Sequence, residues 1–132
     1  MRLILFLHLS ILLATDANAP LQRTRDREVD IHHIKIDVSV DIDTESVYGH
    51  VVHTLSPLSS SMSSFSLDAD DMHVKRVRMG NDDLEFIYSN SKLNIELLKP
   101  ISWNDTIKVR IDYSSKPRKG TFFVKPDKTY PE

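Results

Sequence analysis

The chain has 132 residues, a formal net charge of -2 and an isoelectric point near 6.3. Hydrophobic residues make up 40% of it, enough for one domain with a real core and against wholesale disorder. Cysteine is absent, which excludes disulfides, thiolate metal sites and cysteine nucleophiles, and the weakly acidic balance offers nothing to attract nucleic acid or an anionic membrane surface.

The N-terminus has the layout of an export signal. Arg2 precedes an apolar run from Leu3 to Ala14 that is long enough for a signal peptide and too short for a comfortable membrane span. Ala17-Asn18-Ala19 supplies small residues for cleavage, after Ala17 or after Ala19; Pro20 disfavours the second cut. Residues 1–19 are therefore expected to be a signal peptide, residues 20–28 a mobile lead-in, and residues 29–132 one β-domain. The product is expected to be exported, whether secreted, periplasmic or at the cell surface, with membrane attachment only if the N-terminal segment is retained.

Period-two alternation begins soon after. Ile34, Ile36, Val38, Val40 and Ile42 fall on one face, and His33, Lys35, Asp37, Ser39 and Asp41 on the other. Alternating β-branched residues predict a half-buried strand. Residues 43–46 are turn formers, so Val47 to Leu55 should return as the second arm of an antiparallel hairpin. Pro57 ends it, and the serine-rich stretch 59–64 reads as a flexible surface loop. Phe65, Leu67 and Ala69 alternate again. From Met72 to Met79 the apolar phase slips between Val74 and Val77, which predicts a bulge. Gly80 to Asp83 is a turn, followed by strands around Leu84–Tyr88, Leu93–Leu97 and Ile107–Tyr113, and a last short strand from Thr121 to Val124. No stretch carries a helical period. The fold class is all-β: an antiparallel β-sandwich or saddle-shaped bent sheet of seven or eight strands.

Chemistry-bearing patterns are sparse. His32 and His33 are adjacent, and His50 and His53 are three apart, so on regular strands neither pair faces one ion. H-E-x-x-H and G-x-S-x-G are absent. Asp41-x-Asp43-x-Glu45 lacks the glycine and the final glutamate of a calcium loop, and Asp68-x-Asp70-Asp71 reads as a turn. Lys75, Arg76 and Arg78 form a small basic strip. Asn104-Asp105-Thr106 fits a glycosylation sequon, which makes Asn104 the candidate modification site. No catalytic, cofactor-binding or metal-ligating residue is assigned.

The order of short motifs is more informative. Val29 to Val38 (VDIHHIKIDV) is similar to the Y-D-V-x-H-Y-x-L-D-L opening of the aminopeptidase N family of zinc metallopeptidases. Val47-Tyr48-Gly49-His50-Val51 resembles its I-x-G-x-V strand, and Phe65-Ser66-Leu67-Asp68-Ala69 its L-x-L-D-A. Val74-Lys75-Arg76-Val77 with Gly80, the strand ending at Tyr113, and Lys119 to Asp127 with Tyr130-Pro131 behind follow in the family's sequence.

That resemblance implies an N-terminal, non-catalytic domain of an exported zinc aminopeptidase, which removes N-terminal residues from peptides. Such a domain packs on a catalytic domain and helps wall its substrate cavity. Zinc is expected in that catalytic domain, which is missing from this sequence, and no cofactor is expected in this chain. The partners implied are the catalytic domain of the same polypeptide and, for the whole enzyme, peptide substrates. The family's substrate-contacting residue lies shortly after the Tyr-Pro segment, so none of its functional residues carries over. Gly49 and Gly120 are expected to be structural. The alternative function is a stand-alone secreted β-sandwich binding module. A large uncovered apolar face would speak for a missing partner domain and against that alternative.

Overall fold

A computed structural model describes residues 27–118 and 121–125. The expected signal peptide, lead-in residues 20–26, Gly120 and the Tyr130-Pro131 segment lie outside the described residues. Eight strands appear in chain order: β1 (Val29–Asp41), β2 (Ser46–Pro57), β3 (Met62–Asp68), β4 (Met72–Met79), β5 (Asp82–Asp83), β6 (Phe86–Ser89), β7 (Lys92–Ile101) and β8 (Ile107–Ser115). They form a five-stranded sheet in the order β1-β2-β8-β4-β5 and a three-stranded sheet in the order β3-β7-β6. Every pairing is antiparallel, and short polar connections join the β1–β2, β4–β5 and β6–β7 pairs.

Register explains which residues meet. In the large sheet, Ile36, Val51, Ile111 and Val77 lie in one row across β1, β2, β8 and β4. Ile34, His53, Val109 and Met79 form the row beside it. Cross-strand partners share a face, so these rows make the inner, apolar side. Register shifts between Val74 and Arg76, and the bulge at Lys75 returns Val77 and Met79 to the face of Met72 and Val74. The small sheet presents Phe65, Leu93 and Ile95 to this side, and together with Leu55, Val77, Val109 and Ile111 they form the buried core.

Three local readings are corrected. Thr121 to Val124 pairs with no strand among the described residues: Phe122 and Val124 are exposed, and the segment is tethered instead by Lys125, whose Nζ donates to the Asp43 carbonyl and meets Glu45. Alternating residues do not make a strand without a ladder partner. The serine-rich loop is shorter than expected, because Met62 is buried and pairs with Ile101, which draws Ser63 and Ser64 into β3. Asp82 and Asp83, expected in the turn after Gly80, pair with Met79 and Arg78 as β5.

Glu28 joins the sheets at one end. Its carboxylate accepts from the Ser66 amide at 2.7 Å, and its carbonyl accepts from the Leu58 amide at 3.0 Å. At that end Val29 and Leu55 are buried. Along β1 the two sheets then part.

Candidate functional site

The parting leaves a cleft of about 600 Å³ between the sheets. Ile34, Ile36, Val51 and His53 line it from the large sheet, and Leu67 and Leu93 from the small one. Beyond it the apolar row of β1 is uncovered: Ile34 is 46% exposed, Ile36 63%, Val38 47% and Val40 57%. This corrects the expectation of a half-buried strand. Alternation fixes which side chains share a face, but the three-stranded sheet is too narrow to reach all of that face. A contiguous exposed apolar row of this kind is a candidate interaction surface.

Gly49 sits in β2 opposite Val38 of β1. A Cβ there would meet the Asp37 carbonyl oxygen and lie 2.8 Å from the Val38 Cα. The glycine therefore permits close backbone approach in the middle of the uncovered face, as its place in a strand suggests.

His53 projects into the cleft, half-buried, with its Nδ1 enclosed and without a hydrogen-bond partner among the described residues. Burial lowers its pKa from the ordinary value of 6.5 because the charged imidazolium loses solvation. The folded chain thus holds His53 neutral, while the unfolded chain takes up a proton as pH falls below that value. Its contribution is fully present above about pH 6.5 and is lost as pH falls through the lower folded pKa. Melting temperature is expected to drop between about pH 7 and pH 5, and His53→Leu to reduce that drop. An unchanged pH profile in the variant would show that other groups cause it.

The histidines are not brought together. His50 lies on the outer face, opposite Asp37 and Asp112, with His53 on the inner face. A bulge between Ile31 and His33 frees His32 from the ladder, and its Nε2 lies 2.9 Å from Ser56 Oγ. Among the described residues no three His, Cys, Asp or Glu are grouped to hold a metal ion. The described residues therefore do not fit a zinc centre.

The other charged candidates are engaged in structure. Arg76 forms a two-bond pair with Asp83, and Asp112 accepts from Arg110 at 2.8 Å and Arg78 at 3.4 Å. The Arg110 hydrogen bonds, more than any other contact, hold the Asp112 carboxyl below the ordinary carboxylate value. The basic strip is thus largely neutralised on the outer face. Asp41 caps the β1–β2 turn by accepting from the Thr44 amide at 3.0 Å. Asp70 accepts from Ser91, and Asp71, at a positive φ of 53°, accepts from Arg118. The first acidic run makes the β1–β2 turn, and the second is the connection from the end of β3 to β4. Asn104 is exposed in the β7–β8 connection, beside the exposed Trp103, while Thr106 bonds Ser56. The uncovered row on β1 is the feature that residue-type motifs did not single out.

No family model matches the sequence, and no curated protein does either. Solved structures match the fold. An M1 zinc metallopeptidase from Deinococcus radiodurans superposes with a TM-score of 0.56 at 18% identity over 70% of this chain and 21% of its own. Native leukotriene A4 hydrolase from Saccharomyces cerevisiae gives 0.57 at 18% identity over 69% of this chain and 15% of its own. Native yeast leukotriene A4 hydrolase in another structure gives 0.60 at 15% identity over 80% and 19%. The chain shares its fold with a part of these enzymes, and it spans about a fifth of their length or less.

Proposed function

We propose that this chain is the non-catalytic N-terminal β-domain of an exported zinc aminopeptidase, and that the inner face of β1 is where the catalytic domain seats. The uncovered row of Ile34, Ile36, Val38 and Val40 carries the reading. A self-sufficient binding module would not leave such a row open beside its core, whereas a domain built to be completed by a neighbour would. The fold likeness and the ordered motifs support a zinc peptidase catalytic domain as that neighbour. In the whole enzyme zinc would sit in the catalytic domain, and this domain would wall the cavity and restrict access to peptide ends. The sequon at Asn104 lies on an exposed turn, where a glycan can be accommodated.

The native lack of cysteine makes a clean test. Val38→Cys introduces a single thiol on the row. A maleimide reagent should label it readily in the 132-residue chain and slowly in a polypeptide extended through a catalytic domain. Equal labelling in both would mean that this face is not the seat. The 132-residue chain itself is expected neither to retain stoichiometric zinc nor to hydrolyse aminoacyl amides. Turnover that copurifies with the chain and responds to its mutagenesis would sink the proposal.

A further inference from the structure

We propose that β1 is a self-pairing edge, at which a second copy of this chain adds its own β1 antiparallel about a two-fold axis at Ile36. The large sheet ends in two very different edges. One is β5, two residues long and wholly acidic, a blunted edge of the kind that resists further pairing. The other is β1, which spans 13 residues, contains no proline, and among the described residues has a neighbour on one side only. Its outward backbone groups form a ready template for another strand. This inference uses the edge of β1, whereas the proposed seat of the catalytic domain uses its face, so neither depends on the other.

The side chains select the occupant and its register. An axis at Ile36 sets Ile36 against Ile36 of the partner subunit and Ile34 against Val38 of the partner subunit, all on the apolar side. On the polar side it sets Lys35 against Asp37 of the partner subunit, and the two-fold repeats that pair. Both Lys35 and Asp37 are exposed, and neither has an ionic partner among the described residues. Moving the axis by one residue places Asp37 or Lys35 on its own copy, a like-charge contact. Moving it two residues to Val38 sets Lys35 against Asp41, which is already committed to the Thr44 amide. Among these registers the strand is best matched to itself about Ile36. Such pairing is isologous and closes at two copies, because it uses up the long edge of both.

The experiment is sedimentation velocity on the chain across micromolar to hundreds of micromolar concentration, with Lys35→Asp and Asp37→Lys made separately and mixed. The parent chain should show a concentration-dependent dimer. Each single reversal turns two attractive cross-strand pairs repulsive and should weaken self-association by about tenfold or more. An equimolar mixture of the two variants should restore it, since opposite charges then face each other across the strands. Both changes lie on an exposed face, and unchanged far-UV circular dichroism would confirm that the variants fold. A parent chain that stays monomeric throughout, open-ended aggregates in place of a dimer, Asp37→Lys pairing as well as the parent, or a mixture that stays monomeric would each overturn the proposal.

Discussion

Replacing Phe65 with alanine is expected to destabilise the chain by about 3–5 kcal/mol, the cost of removing a fully buried aromatic and leaving a cavity. Phe65 is 2% exposed and sits in β3 opposite Ile95. The core it shares with Leu55, Val77 and Val109 is the contact that holds the two sheets together. Small domains have total stabilities of about 5–15 kcal/mol. With one wing of its inner face uncovered, this chain should lie toward the lower end, so the variant should be largely unfolded at body temperature. Phe122 provides the control: it is 90% exposed, and Phe122→Ala should stay within about 0.5 kcal/mol of the parent. Urea denaturation followed by far-UV circular dichroism gives both values. A Phe65→Ala loss no larger than the control would mean that the sheets do not share one core.

Gly49→Ala is the second large effect, and its sign needs an argument. Removing a strand glycine ordinarily stabilises a chain by about 0.4–1 kcal/mol, because the unfolded state loses freedom. Here the added methyl meets the Asp37 carbonyl oxygen and the Val38 Cα, which are backbone atoms that cannot swing aside. Overpacking of this sort costs about 1–3 kcal/mol, and rigid neighbours put it at the upper end. The clash therefore outweighs the entropy gain. The damage should be local: amide exchange should accelerate along β1 and change little in β4 and β8. The dimer proposed at the β1 edge should weaken with it. A variant that melts with the parent would show that β1 and β2 approach less closely than described.

The legible part of the fold was the part governed by local pattern. The β1–β2 hairpin was written in alternation and turn residues, and the slip between Val74 and Val77 announced the bulge at Lys75. What alternation cannot encode is coverage. Ile36 and Ile111 occupy equivalent apolar positions in one row, yet Ile111 lies under the small sheet and Ile36 does not. Phe122 and Val124 failed as strand markers for a related reason, since whether an extended segment finds a ladder partner depends on distant chain. Met62 was hidden among serines, where low complexity outweighed one apolar anchor. The candidate surface was legible only as a conditional: the row was visible, and its being uncovered was not. Residue-type motifs pointed to no reaction centre, because the character of this chain lies in a face rather than in a cluster of reactive groups.

The placement of β8 also sets an order of events. Residues 107–115 form the strand that lies between β2 and β4, so the large sheet has no middle until they arrive. During synthesis the β1–β2 hairpin and the β4–β5 ribbon can each form early, but they remain two separate pieces with apolar faces open. Insertion of a strand between partners far away in sequence is slow compared with hairpin closure. The large sheet is therefore expected to close late, and the apolar row of β1 is on offer before that closure as well as after it.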